Sequence, residues 1–258
     1  DIFVYVYNRQ GSQLWSVSHP TSNHGWTPGE HLELIDLDKD GREDVVFTDR
    51  TNTVFAYNHS GSQLWNTAVP ALFNTYVAGI TPVDRNSDGV LDEIAVGSRS
   101  SSTNVTTLNR TGSIVMSFAS NTSGNRDSGV AVDLDRDGFF NEMMWYGQST
   151  GSRGIDENAG QLFSVDASAV WPGMRPVRAD VSGSGYEDHA GIFMDEDLVF
   201  LNGSGTATVN LTTFANYNTR AVYDIDHDFR GCIVTFDRIK TPQYLFFEQF
   251  NGGKYTFS

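Results

Sequence analysis

Along this chain, short strand-like segments recur, some alternating apolar with polar residues, as in LELI from Leu32, and some continuously apolar or aromatic, as in VYVY from Val4 and VFAY from Val54. A period of two predicts strands with one buried face, and the continuous apolar runs DVVF from Asp44 and EMMWY from Glu142 predict strands covered on both faces. No window carries an apolar period of 3.6 residues, so no helix is predicted. Between the segments stand VYNRQGSQLW, AYNHSGSQLW, TLNRTGSIVM, GIDENAGQLF and VFLNGSGTATV, each with Asn or Asp followed three or four positions later by Gly. Such a turn between alternating segments marks a β-hairpin. Each repeat therefore holds four short strands, here called A (HLELID in the first full copy), B (EDVVFTD), C (NTVFAYN) and D (QLWNTAV).

A second pattern lies between strands A and B. It reads DLDKDGRED from Asp36, DRNSDGVLD from Asp84, DLDRDGFFN from Asp133, DVSGSGYED from Asp180 and DIDHDFRGC from Asp224, and the first aspartates are 44 to 49 residues apart. Four-stranded units repeating at that interval predict an all-β chain folded as a β-propeller, with each unit one blade. The repeats cover residues 31–69, 77–119, 128–167, 175–212 and 220–258, with a partial one at 1–18 that supplies strands C and D alone. Residues 1–258 are thus expected to form a single propeller domain of five complete blades and a hairpin, six-bladed or part of a larger ring. A solenoid of stacked sheets is the competing layout.

The loops between A and B are also the chain's most pointed chemistry. A hard cation such as Ca²⁺ takes six to eight oxygens, which a tight loop offers from alternate residues. In the first copy Asp36, Asp38 and Asp40 stand at positions one, three and five, Arg42 offers its carbonyl at seven, Asp44 closes at nine, and Gly41 permits the bend. The second copy offers Asp84, Asn86, Asp88, Val90 and Asp92 in the same order, and the third Asp133, Asp135, Asp137, Phe139 and Asn141. The fourth keeps only Asp180 and Asp188, with Ser182 and Ser184 between them. The fifth keeps Asp224, Asp226 and Asp228 but has Phe229 in place of glycine and Cys232 at the close. Three good calcium sites and two degenerate ones are expected, with Mg²⁺ the poorer fit because it demands strict octahedral geometry.

These loops resemble the calcium loops of FG-GAP and VCBS repeats, found in the integrin α-subunit propeller and in secreted microbial proteins. The hairpins VYNRQGSQLW and AYNHSGSQLW also resemble the outer strands of PQQ-type propeller repeats. The resemblance spans nearly the whole chain and implies a propeller fold and a metal, without implying an activity.

Composition narrows the function. The formal charge of −15 and a pI near 4.6 leave no basic face for nucleic acid. Of the 32 acidic residues, 15 are aspartates at loop positions, so the charge is concentrated where cations would neutralise it. No apolar run is long enough to span a bilayer, so no membrane insertion is expected within this segment. The single cysteine, Cys232, allows no internal disulfide and is expected to be a small buried filler.

Propeller topology puts the aspartate loops and the C to D turns on one rim, and the D to A and B to C connections on the other. The second rim gathers Trp26, Phe73, Tyr76, Trp171 and Tyr217 with Arg99, Arg126, Arg153, Arg175 and Arg220, residue types that suit a sugar or a protein partner. Capping of the seams between blades is the alternative role for these aromatics. Sequons at Asn58, Asn104, Asn109, Asn121, Asn202 and Asn210 accept N-glycans if the protein is exported. Weak multi-carboxylate calcium sites fill where calcium is millimolar, which favours an extracellular or cell-surface setting. The sequence carries no HExxH, P-loop or GxGxxG signature and no GxSxG nucleophile elbow, since GQSTG from Gly147 falls in a connection between strands B and C and leads into no helix; its six histidines lack metal-ligand spacing, and His189 and His227, inside aspartate loops, are expected to face solvent. The expected function is an extracellular, calcium-stabilised adhesion, assembly or binding module whose partners are surface glycans or another extracellular protein. A carbohydrate-binding lectin domain and a lyase-like polysaccharide enzyme are the alternatives.

Overall fold

The computed structural model of this chain describes residues 2–19, 32–48, 53–69, 76–99, 104–119, 128–147, 151–165, 176–181, 184–194, 197–211, 217–223, 232–237, 245–249 and 254–257. Its regular elements there are all strands. A hairpin, β1 (Ile2–Tyr7) and β2 (Gln13–His19), comes first. Five four-stranded sheets follow: β3 (Leu32–Ile35), β4 (Asp44–Thr48), β5 (Thr53–Tyr57) and β6 (Gln63–Ala68); β7 (Tyr76–Val83), β8 (Glu93–Arg99), β9 (Asn104–Leu108) and β10 (Ile114–Ala119); β11 (Ser128–Val132), β12 (Glu142–Gly147), β13 (Gly151–Ile155) and β14 (Gln161–Val165); β15 (Val177–Ala179), β16 (His189–Met194), β17 (Asp197–Leu201) and β18 (Ala207–Leu211); and β19 (Tyr217–Tyr223), β20 (Cys232–Asp237), β21 (Leu245–Gln249) and β22 (Lys254–Phe257). Within every sheet the strands pair antiparallel in chain order.

Burial follows strand position. Every residue of β4 is buried, as are four of the five in β5, whereas β6 alternates exposed and half-buried positions. Middle strands covered on both faces need continuous apolar runs, and outer strands need alternation, which is why DVVFT and QLWNTA differ in pattern.

The chain forms two compact units, Asp1–Val83 with Val90–Asp127, and Asp84–Gly89 with Ser128–Ser258. In the first, Ile35, Val46 and Val54 of one sheet pack against Ile80, Ile94 and Leu108 of the next. A second cluster joins Val4 of the hairpin to Val45, Phe47, Phe55 and Tyr57. The opposite face of the hairpin shows Phe3, Tyr5 and Tyr7 exposed, their rings in a ladder with centroids 6.2 and 6.4 Å apart. In the second unit Val132, Met144 and Phe163 pack against Ala190, Ile192 and Leu201. Neighbouring sheets meet through their first strands, β3 beside β7 in one unit and β11 beside β15 beside β19 in the other. Radially arranged blades meet in this way, with strand A innermost.

At three places the outermost strand fastens a sheet to its successor. Trp15 on β2 donates from Nε1 to the His59 carbonyl at 3.0 Å, and Trp65 on β6 donates to the Arg110 carbonyl at 2.8 Å. Both rings lie over the C to D turn of the next sheet, at Gly61 and Gly112. Those glycines have φ of +85° and +79°, and an added Cβ would stand 2.8 and 2.6 Å from the indoles. Phe163 lies likewise over Gly205. The turns share one construction. In the turn from Asn58, for example, Oδ1 accepts from the amides of Ser60 and Ser62, and the Gly61 amide donates to the Asn58 carbonyl. Asn8, Asn109, Asp156 and Asn202 repeat this. In the Asp156 turn the left-handed residue is Ala159, at φ 68°, where the others have Gly.

Candidate metal centre

Each aspartate loop leaves the last residue of strand A and enters the first of strand B. The folded loop depends on its first aspartate. The Asp36 carboxylate accepts from the amides of Asp40 (3.1 Å) and Gly41 (2.9 Å), Asp84 from Asp88 (2.9 Å) and Gly89 (2.8 Å), Asp133 from Asp137 and Gly138 (both 3.0 Å), and Asp180 from Ser184 (3.0 Å) and Gly185 (2.7 Å). Position three caps the same amide of position five, from Asp38 (3.2 Å), Asn86 (2.9 Å) and Asp135 (3.1 Å). In the first and third loops position five then accepts from position seven, Asp40 from Arg42 and Asp137 from Phe139, each at 2.9 Å. Gly41, Gly89, Gly138 and Gly185 all have φ between 84° and 93°, the left-handed bend that glycine supplies without strain. In the second loop the Val90 carbonyl accepts from the Asp92 amide at 2.9 Å.

Strand pairing changes the count at the far end. Ile35 pairs with Asp44, Val83 with Glu93, Val132 with Glu142, Ala179 with His189 and Tyr223 with Cys232. The loops at 84–92, 133–141 and 180–188 are therefore one residue longer than those at 36–43 and 224–231. Asp44 stands level with Glu93, Glu142 and His189, and not, as a count of nine aligns it, with Asp92, Asn141 and Asp188.

The extra residue in each longer loop has a partner in the loop before it. Lys39 Nζ lies 2.9 Å from Asp92, Asn141 Nδ2 donates to Ser87 Oγ at 2.9 Å, and Arg136 Nε donates to Asp188 at 2.6 Å. Lys39, Ser87 and Arg136 all occupy position four and have φ of 60°, 55° and 65°. Left-handed backbone at a residue with a side chain is unfavourable and persists where surrounding contacts hold it. The three contacts are chemically matched, cation to carboxylate twice and hydroxyl to amide once. The fourth loop has Gly183 at position four, with no side chain to offer, and the fifth loop lacks the extra residue.

Two groups of carboxylates converge with oxygens within 4.8 Å of one another, Asp36 with Asp38 and Asp40, and Asp133 with Asp135 and Glu142. Glu142 is 1% exposed; Oε2 accepts from the Leu134 amide at 2.8 Å and Oε1 is buried without a hydrogen-bond partner. Asp44 repeats the arrangement, with Oδ2 on the amides of Leu37 and Asp38 and Oδ1 buried and unpartnered. Burial pushes the Glu142 carboxyl up to about 7, the Leu134 amide opposes this, and Asp135, Asp137 and Asp133 add repulsion. Burial also raises Asp44 and Asp133 above the ordinary aspartate value. Hard oxygen donors, crowded carboxylates and orphaned buried oxygens fit a divalent cation such as Ca²⁺.

The fourth loop is stabilised otherwise. Asp188, 2% exposed, lies between Arg136 Nε and His189 Nδ1, the latter at 2.5 Å. His189 is thus buried rather than facing solvent, because it begins β16 instead of belonging to the loop. In the first sheet His59, on the C to D turn, bridges Arg42 (2.9 Å) and Asp40 (3.1 Å), so turn and aspartate loop do share a rim.

Of the residues expected on the other rim, Arg153 lies on β13 and donates at 2.7 Å to Gln161, which follows the C to D turn. Tyr76, Tyr217 and Arg220 lie on β7 and β19, and Arg99 ends β8. Trp26, Phe73, Arg126, Trp171, Arg175, Asn121, Asp224, Asp226, Asp228 and His227 lie outside the described residues. Among the other sequons, Asn58, Asn109 and Asn202 sit in C to D turns, Asn104 begins β9, and Asn210 is in β18.

Residues 36–95 match the FG-GAP-like repeat. No curated protein matches the chain. Three solved structures give the architecture its counterparts. BamB from Moraxella catarrhalis is 12% identical, with a TM-score of 0.56 over 98% of this chain and 66% of its own. The WD40 domain of Neurospora crassa Pan2 is 10% identical, with a TM-score of 0.63 over 98% of this chain and 72% of its own. The V. cholerae biofilm matrix protein Bap1 is 18% identical, with a TM-score of 0.50 over 87% of this chain and 38% of its own. This chain thus spans about two thirds of the first and little more than a third of the last. The fold is that of a β-propeller, made of four-stranded antiparallel blades. Within it, the match to the FG-GAP-like repeat at residues 36–95 takes in both the first aspartate loop and the second.

Proposed function

We propose that this chain is an extracellular, calcium-stabilised propeller that serves as a cell-surface adhesion, assembly or protein- and glycan-binding module. The observation that carries the reading is the convergence of Asp36, Asp38 and Asp40, and of Asp133, Asp135 and Glu142, at the same place in two different blades. A cation there ties the end of strand A to the start of strand B and relieves the repulsion among the loop carboxylates. Loops of this kind fill in millimolar calcium, which supports a location outside the cell, and the likeness to a biofilm matrix protein accords with a surface role. Glycosylation is compatible with the turns, because Asn58, Asn109 and Asn202 engage them through Oδ1 and not through the Nδ2 that a glycan takes. No helix among the described residues is long and apolar enough to cross a membrane.

The test is a pair of melting curves in chelator and in millimolar calcium, followed by glycan-array and surface-protein binding in both buffers. Calcium should raise the melting temperature by several degrees, and binding should weaken in chelator. Superimposable melting curves would remove the metal reading, and turnover of an acidic polysaccharide would replace the binding module with an enzyme.

A further inference from the structure

The geometry points to Glu142, the first residue of β12, as the carboxylate that closes the third loop's divalent-cation site, with the preceding Asn141 serving as the contact to the second loop. This rests on the calcium reading of the loops and assigns its ligands in one of them. Two observations carry it beyond the acidic cluster itself. Glu142 is 1% exposed and its Oε1 has no hydrogen-bond partner, so a half-satisfied carboxyl group is held inside the protein beside the oxygens of Asp133 and Asp135. A buried acid with an orphaned oxygen turned toward other carboxylates is a group that a bound cation satisfies. The second observation is the register. Val132 pairs with Glu142 as Ile35 pairs with Asp44, and both acids hold the loop's second residue by its amide, Leu134 in one and Leu37 in the other.

Asn141 is differently committed. Its Nδ2 donates to Ser87 Oγ at 2.9 Å and to Asp137 Oδ2 at 3.3 Å, while its Oδ1 is buried without a partner. It belongs to the same series as Asp92 against Lys39 and Asp188 against Arg136, the residue that each longer loop adds to meet the loop before it. Where the loop is one residue shorter, at 36–43, the closing acid follows directly. Glu142 also has the longer reach: a bidentate glutamate is a favoured closing ligand for Ca²⁺, whereas a neutral amide contributes one weaker oxygen.

Calcium titration by isothermal calorimetry, with native mass spectrometry for stoichiometry, separates the assignments. Glu142→Gln and Asn141→Ala are compared with the native chain, and a circular dichroism melt in chelator confirms that each variant folds. Glu142→Gln should bind one ion fewer, or bind it at least tenfold more weakly, while Asn141→Ala keeps the native count. The assignment is overturned if Glu142→Gln titrates like the native chain, or if Asn141→Ala alone loses an ion. A native chain that takes up no calcium would instead sink the metal reading on which the assignment rests.

Discussion

Replacing Glu142 by glutamine should stabilise the calcium-free protein and destabilise the calcium-loaded one, a reversal that few substitutions produce. Without metal, the carboxyl is raised by burial from its ordinary 4.5 to about 7. Below about pH 4.5 it is protonated in both folded and unfolded chains. Between 4.5 and about 7 only the folded chain holds the proton, so stability falls as pH rises, and above about 7 the deficit is constant. The rise corresponds to about 3 kcal/mol at ~1.4 kcal/mol per tenfold change in acidity. Glutamine has no charge to lose. Its carbonyl can accept from Leu134, and its amide nitrogen takes the place of the unpartnered oxygen beside Asp133 and Asp135. Urea unfolding in chelator at pH 5 and pH 8 should therefore show the native chain losing up to about 3 kcal/mol more than Glu142→Gln across that interval. Asp44, raised in the same direction but in a different loop, slopes both proteins alike and cancels in the difference. In millimolar calcium the order should invert. Parallel pH profiles for the two proteins in chelator would show that burial of Glu142 costs the metal-free protein nothing.

Other contacts make separate predictions. Arg136→Ala leaves the buried Asp188 with His189 alone and should cost about 1 to 3 kcal/mol by urea unfolding, with most of that loss absent in an Asp188→Asn background. Gly112→Ala sets a Cβ 2.6 Å from the Trp65 ring at φ +79° and should cost about 2 to 4 kcal/mol, falling toward the backbone part alone when Trp65 is also alanine. Ala159→Gly relieves a left-handed alanine and should raise stability by about 1 kcal/mol, read as a melting point ~2 to 4 °C higher.

The strands and turns were legible because their causes are local. A period of two, an Asn or Asp accepting from amides two and four residues on, and a glycine at the left-handed position define a hairpin without reference to the rest of the chain. The continuous apolar runs were legible for a related reason: DVVFT and EMMWYG are strands whose two faces are both covered. Less accessible was the closing position of the metal loop. Counting odd positions from Asp133 reaches Asn141, but counting presumes loops of equal length, and only strand pairing shows the added residue. A sequence signal existed, since Asp44, Glu93 and Glu142 each immediately precede the apolar run of strand B. Lys39, Ser87 and Arg136 were invisible for a different reason: their partners lie in the next blade, at positions fixed by packing and not by spacing along the chain. His189 likewise reads as a loop residue until its pairing with Ala179 makes it the start of a buried strand.

Whether the aspartate loops enclose divalent cations can be seen in a crystal. The most direct measurement is an anomalous difference map from crystals grown in millimolar calcium. Peaks are expected among Asp36, Asp38 and Asp40 and among Asp133, Asp135 and Glu142, each with oxygens at ~2.3 to 2.6 Å. Loops that hold only water at both places under those conditions would contradict metal binding.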